Sequence, residues 1–159
     1  FIFTTKLKKI MQIFIGGIGC FWDETEYHGI PGIVSTECGY CGGKNSTVSY
    51  EQVCGGDTEH IEVVKVTFDP KIISYEDIAR LFFQIHDPTT LNRQGPNIGH
   101  QYRSEIFYTT EEERISAQKI LGEVNKKLND KVVTVVRKEK NYCKAEEYHQ
   151  KYFEKKSKR

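Results

Sequence analysis

No stretch of this chain approaches the roughly 20 consecutive apolar residues that a membrane-spanning helix requires, so no membrane segment is expected. Charge of one sign is missing as well: 23 Lys and Arg stand against 22 Asp and Glu, leaving a net charge of +1. The basic residues are dispersed, apart from a tail at Lys155 to Arg159 that reads as a solvated helix end, so no nucleic-acid surface is expected. An even set of cysteines is also lacking. Five of them in 159 residues do not describe a disulfide scaffold; reactive thiols in a reducing compartment, the cytoplasm, fit better. Repeats and linker-like stretches are absent, which leaves one domain with enough chain to bury a core.

Methionine is nearly absent, and its one occurrence, Met11, bears on the amino terminus. Lys6 to Lys9, followed by Ile10 to Gly19 and then Cys20, has the outline of a charged region, a short apolar region and a lipoprotein-type cysteine. That reading makes Met11 an odd internal residue and leaves only glycine and isoleucine at the cleavage point. Met11 is therefore expected to be the translational start, with residues 1–10 an upstream extension and 11–159 the single domain.

Glycine, by contrast, is concentrated at one point. Gly16, Gly17 and Gly19 separate an apolar run, Met11 to Ile15, from a segment with helical spacing, and Cys20, Phe21 and Trp22 follow directly. A strand that turns on glycines into a helix leaves the next residue over unpaired backbone N–H groups, which favours a thiolate at Cys20. Phe21 and Trp22 beside it offer an aromatic wall for a small apolar group. A buried cysteine packed under the turn is the plainer alternative.

In chain order the pattern predicts a strand over Met11 to Gly16, a helix over Cys20 to His28 stopped by Gly29 and Pro31, and a strand over Gly32 to Tyr40. Gly42 to Thr47 is a polar loop. Ile61 to Phe68 is a strand ended by Asp69-Pro70, and Ser74 caps a helix over Tyr75 to His86. Arg93 to Gln101 reads as a loop and Arg103 to Tyr108 as a strand. Thr110 caps a helix running to about Leu128. Lys131 to Lys138 alternates as a strand, and Lys144 to Lys156 closes the chain as an amphipathic helix. The order β-α-β-β-α-β, with one more strand and helix, fits an α+β two-layer sandwich with ferredoxin-like connectivity around a mixed sheet.

Glu62 opens an otherwise apolar strand, and alternation sets it on one face with Val64 and Val66. A carboxyl on an inward apolar face has a raised pKa and serves as an acid near neutral pH; at an edge it is an ordinary carboxylate facing water. Tyr50 and Tyr102 carry hydroxyls that either bind a polarised oxygen or are simply satisfied in the core. Cys38 and Cys41 have the two-residue spacing of redox pairs and metal half-sites; Cys54 follows after twelve residues and His60 after five more. Those intervals make a zinc module with ligands Cys38, Cys41, Cys54 and His60 a rival reading, although the stretch lacks the apolar residues and helix that a finger packs around its metal. A disulfide between Cys38 and Cys41 is obstructed on a straight strand, where the two side chains face opposite ways.

Gly19-Cys20-Phe21-Trp22 resembles the signature of the peptide methionine sulfoxide reductases of the A class. In order along the chain, Gly32 to Glu37, Gly39-Tyr40, Gly42-Gly43, Tyr50 to Thr58, His60, Glu62 and His86 to Thr90 resemble that family too. So do Arg93 to Gly95, Gln101 to Ser104, and Ala145-Glu146 with Tyr148 to Gln150. The resemblance implies a peptide-methionine (S)-S-oxide reductase that repairs oxidised proteins and needs neither cofactor nor metal. By it, Cys20 attacks the sulfoxide sulfur, Glu62 protonates the departing oxygen, and Tyr50 and Tyr102 hydrogen-bond to Glu62. Phe21 and Trp22 hold the methyl group. Asn97 stands where the family usually has an aspartate, keeping a hydrogen bond but no charge, and Asp23 replaces a small residue. The products are methionine and a sulfenic acid on Cys20, which condenses with a thiol. The implied partners are methionine sulfoxide, free or in proteins, and thioredoxin or another thiol reductant, with the protein itself a monomer. The family's tail cysteine has no counterpart before Arg159, so Cys143 is the expected resolving thiol, with Cys38, Cys41, Cys54 or an outside thiol as alternatives.

Overall fold

The computed structural model describes residues 10–17, 21–55, 58–95 and 97–146. Three runs rich in β-branched and aromatic residues form its central strands: β1 (Gln12–Gly17), β2 (Ile33–Cys41) and β3 (Ile61–Phe68). A short hairpin of β4 (Arg93–Gln94) and β5 (Asn97–Ile98) precedes β6 (Glu105–Tyr108). Two further strands, β7 (Val135–Lys138) and β8 (Cys143–Lys144), follow. Six of these make one sheet in the order β7-β6-β1-β3-β2-β8. Neighbours run antiparallel except β6 and β7, which are parallel and make the sheet mixed. The inner four, β6-β1-β3-β2, have the strand order of a ferredoxin-like βαββαβ unit, as the element order predicts.

A five-residue helix, α1 (Tyr50–Cys54), lies between β2 and β3. Two longer ones cover a single face of the sheet. α2 (Tyr75–Gln84) begins at Ser74, whose side chain accepts the Asp77 N–H while the Asp77 carboxylate accepts the Ser74 N–H. That reciprocal cap satisfies two otherwise orphaned donors. α3 (Glu111–Lys127) begins at Thr110, whose hydroxyl accepts the Glu113 N–H. Phe14, Val64, Val66, Phe68 and Ile106 of the sheet pack on Ile78 and Phe82 of α2 and on Ala117 and Ile120 of α3. Gly16 permits the close approach: a Cβ there would stand 2.6 Å from the Phe82 ring. Phe82 is fully buried, and truncating such a ring to Ala costs about 3–5 kcal/mol. The other face buries Ile15, Cys41, Ile61, Val63 and Phe107, with Tyr142 packed against them.

Element boundaries depart from the sequence expectation where other contacts claim the backbone. The segment after Cys20 is a seven-residue 3₁₀ helix, Phe21–Tyr27, and not an α-helix. Its Glu24 is bonded to Thr36 of β2, which ties the segment to the sheet. The expectation gave no helix at α1, although Ser49 and Gln52 form a capping box there; five residues are too few to show a helical period. Lys131 to Thr134 stay out of β7 because the Val132 N–H donates to Asn125 Oδ1 at 3.0 Å and the Val133 N–H to Pro88 O at 2.8 Å. Arg103 stays out of β6 because its N–H closes a second 3₁₀ turn, His100–Tyr102, on His100 O. At the carboxyl end, Cys143 and Lys144 pair with Tyr40 and Gly39 as an edge strand; the expected helix beyond Glu146 lies outside the described residues. No helix among the described residues is long and apolar enough to cross a membrane.

Candidate active site

β3 enters the sheet at Ile61, and its alternation decides where Glu62 goes. Ile61 and Val63 join the far-face core, while Val64 and Val66 join the helix-side core, so Glu62 belongs to the helix side. It lies directly opposite Tyr40 of β2 and is only 4% exposed, which removes the water-facing alternative. Its Oε2 has no hydrogen-bond partner among the described residues. Burial pushes the pKa up to about 8, against a smaller downward pull from a Tyr102 hydrogen bond. Such a group holds its proton at neutral pH and can donate it to a developing oxyanion.

Tyr102 arrives on the 3₁₀ turn His100–Tyr102, which packs against β3. Gly99 ahead of it has φ +145°, a conformation in which glycine is at ease and other residues are strained. Burial, followed by the charge of Glu62, raises the Tyr102 pKa, and its hydroxyl also meets Tyr50 and Gln101. Tyr50 and Cys54 sit one turn apart on the same side of α1. A hydrogen bond between them, then burial, then the neighbouring Tyr102, Cys54 and Glu62 push the Tyr50 pKa up. Tyr50, Tyr102 and Glu62 therefore form one connected group, with the exposed Cys54 at its rim.

Cys20 and the side chains of Phe21 and Trp22 lie outside the described residues, but the flanks of this segment do not. β1 ends at Gly17, where a Cβ would stand 2.3 Å from Ile61 Cδ1 and 3.4 Å from the Glu62 carbonyl oxygen. The chain thus leaves the sheet against the backbone of Glu62. It returns as the 3₁₀ helix Phe21–Tyr27, packed on β2 and β3. What anchors that helix has no sequence signal. Glu24, 0% exposed, accepts from Thr36 Oγ1 at 2.7 Å and from Cys38 Sγ at 3.4 Å, while His28 Nε2 lies 3.1 Å from the same threonine hydroxyl. A buried carboxylate supplied with its own donors is a structural tie; in the sequence it looks like the exposed Glu26 two residues on.

The four zinc-ligand candidates do not converge. Cys38 packs with Tyr40 and Val53, whereas Cys41 packs with Ile15 and Phe107 on the opposite face. Both ring nitrogens of His60 are engaged, Nδ1 accepting the Gly43 N–H at 3.3 Å and Nε2 donating to Asn45 O at 2.6 Å. Among the described residues no group of three or more His, Cys, Asp or Glu side chains is arranged to hold a metal. The zinc reading fails on these grounds. No disulfide links Cys38, Cys41, Cys54 and Cys143. Burial pushes the Cys41 thiol up to about 12, and Cys143 directs its thiol at Val48 O, 3.8 Å away. Asn97 pairs with Gln94 across the β4–β5 hairpin and is not among the groups that bear on Glu62.

Known proteins are similar to this chain in sequence and fold. The model of the family described as Peptide methionine sulfoxide reductase matches residues 11–159. A peptide methionine sulfoxide reductase MsrA from Pelagibacter ubique is 55% identical over 146 residues, covering 91% of this chain and 99% of that protein. Reduced Mxr1 from Saccharomyces cerevisiae superposes with a TM-score of 0.87 at 38% identity, covering 94% of this chain and 87% of that one. Mxr1 in complex with Trx2 gives a TM-score of 0.62 at 26% identity, covering 83% and 78%.

Proposed function

This chain belongs to the peptide methionine sulfoxide reductase family, and on that premise we propose that it reduces methionine-S-sulfoxide, in proteins or free, with thiols as the electron source. The observation that carries the reading is Glu62, a buried acid protonated to about pH 8 beside two tyrosine hydroxyls. A sulfoxide oxygen is a poor leaving group until protonated, so an acid and a thiolate must face each other across the sulfur. Glu62 is the acid. Cys20, three residues beyond the end of β1, is the nucleophile, and Phe21 and Trp22 receive the methyl group. Tyr50 and Tyr102 hold the sulfoxide oxygen and Glu62 in line.

The Cys20 sulfur bonds to the sulfoxide sulfur and the oxygen takes the Glu62 proton. The net exchange moves that oxygen to Cys20: methionine sulfoxide is reduced by two electrons and the thiol is oxidised to a sulfenic acid. A second thiol then displaces water to form a disulfide, and a dithiol reductant restores both thiols. Thioredoxin suits that last step, a reading supported by the likeness to Mxr1, which has been solved with Trx2. Among the internal thiols we favour Cys54 over Cys143 as the resolving partner, because Cys54 shares the Tyr50–Tyr102–Glu62 group. Cys38 is engaged with Glu24, and Cys41 faces away. This chemistry suits a monomer in the reducing cytoplasm.

A single-turnover assay on a methionine sulfoxide peptide, without reductant, tests the reading. About one methionine per chain is expected, with two thiols lost and Cys20 linked to Cys54. One thiol lost, with a sulfenic acid on Cys20, gives the resolving step to an outside thiol. No methionine from folded protein overturns the reductase reading.

A further inference from the structure

Tyr50 meets Tyr102 and Glu62 through its side chain, but its backbone is held from the far end of the sequence. Glu146, just past β8, accepts the Tyr50 N–H at Oε2 (3.1 Å) and the Tyr40 hydroxyl at Oε1 (3.2 Å). Tyr40 is 0% exposed and stands directly opposite Glu62 in the β2–β3 ladder. The first N–H groups of a helix find no partner inside that helix, so the Tyr50 N–H must bond outside α1, and the Glu146 carboxylate accepts it; Val53 also packs the helix on Cys38 and Tyr40 of β2. One oxygen takes the strand pair that carries Glu62, and the other takes the helix that carries Tyr50. The carboxylate is itself delivered from a fixed backbone: Ala145 is buried with Cys38, Tyr40, Val48 and Val53, Tyr50 packs on that cluster, and the Ala145 N–H donates to Cys38 O at 3.0 Å.

We infer that Glu146 is a positioning residue for sulfoxide reduction, holding Tyr50 in register with Tyr102 and Glu62. The inference rests on the reductase reading given above. Displacing a reacting group by about 1 Å lowers a rate on the order of 100-fold, and the Glu146 bond fixes the backbone from which the Tyr50 hydroxyl is aimed. The carboxyl-terminal segment thereby becomes part of the site without touching substrate.

Single-turnover methionine formation across pH, compared for wild type, Glu146→Ala, Tyr50→Phe and the double variant, tests this. Glu146→Ala is expected to slow the reaction about tenfold or more, with substrate affinity changed less than about twofold. In the Tyr50→Phe background the same substitution is expected to add little, because the hydroxyl it positions is already gone. The basic limb of the pH–rate profile should also move up, since the Tyr102 hydrogen bond that holds Glu62 down loses its support from Tyr50. Slowing by the same factor in both backgrounds, or no slowing at all, overturns the inference. If Glu146→Ala does not fold, Tyr40→Phe, which removes the carboxylate's bond to the strand pair, carries the same cycle. A folded wild type that forms no methionine overturns the reductase reading instead.

Discussion

Glu62 keeps its proton to about pH 8 because an ion there would lose its water and gain little beyond the Tyr102 hydroxyl in exchange. Glu62→Gln preserves the shape and removes the acidic proton, so methionine formation near pH 7 is expected to fall about 10²–10⁴-fold in single turnover. The same burial acts on stability. The folded pKa lies above the ordinary value of 4.5, so the native state binds the extra proton between there and about pH 8. The stability linked to Glu62 is fully present below that window and is lost as pH rises through it. The melting temperature of Glu62→Gln should therefore gain on wild type between about pH 5 and about pH 8; a constant difference would count against a buried acid. Glu62, Tyr50 and Tyr102 were legible in the sequence because an acid in an apolar strand stands out, and because family likeness named the tyrosines. The bonds of Glu24 and Glu146 were not, although Glu146 stood in the family likeness, since Glu24 finds its partners 12 and 14 residues away and Glu146 finds its own 96 and 106 away. No local pattern distinguishes a carboxylate whose donors arrive from so far.

Among the elements, β1 owes its use to how it ends. With Gly17 against Ile61 Cδ1, the end of the strand can run close beside the start of β3. Gly17→Ala is expected to destabilise the fold by about 1–3 kcal/mol through overpacking and to slow methionine formation. Adding Ile61→Val, which removes the clashing carbon, should restore part of the stability; urea unfolding of the single and double variants measures both effects. Strand β3 and the starts of α2 and α3 matched expectation because alternation, Ser74 and Thr110 are local signals. Helix α1, the shortened β7 and the edge strand β8 did not. Helix α1 is too short to show a period, and the limits of the two strands are set by Asn125, Pro88 and β2, partners outside the strands themselves.

For the molecule as a whole, the β-α-β-β-α-β order was enough to anticipate the topology of the inner sheet, since such units leave few unknotted arrangements. Its parts are tied together at His86, whose ring joins Phe82 O of α2 to Ser104 Oγ, with Ser104 Oγ in turn 2.7 Å from Thr134 Oγ1. Burial lowers the His86 pKa from 6.5 to about 4. Here the unfolded chain binds the extra proton, so the contribution is whole above the ordinary value and is lost as pH falls toward 4. His86→Gln should be less stable than wild type near neutrality and should converge with it in acid, as thermal melts across that range would show. The two faces of β2 have a consequence for the protein's own chemistry. Cys38 and Cys41, both 0% exposed, sit on either side of the sheet, and a thiol with its pKa near 12 keeps its proton and is inert. Iodoacetamide on the native protein should label Cys54 and spare Cys41 until the chain unfolds, a contrast that peptide mass analysis would reveal. The sheet and its two cores thus hold both sulfurs of β2 out of solvent, whereas Cys54 is exposed.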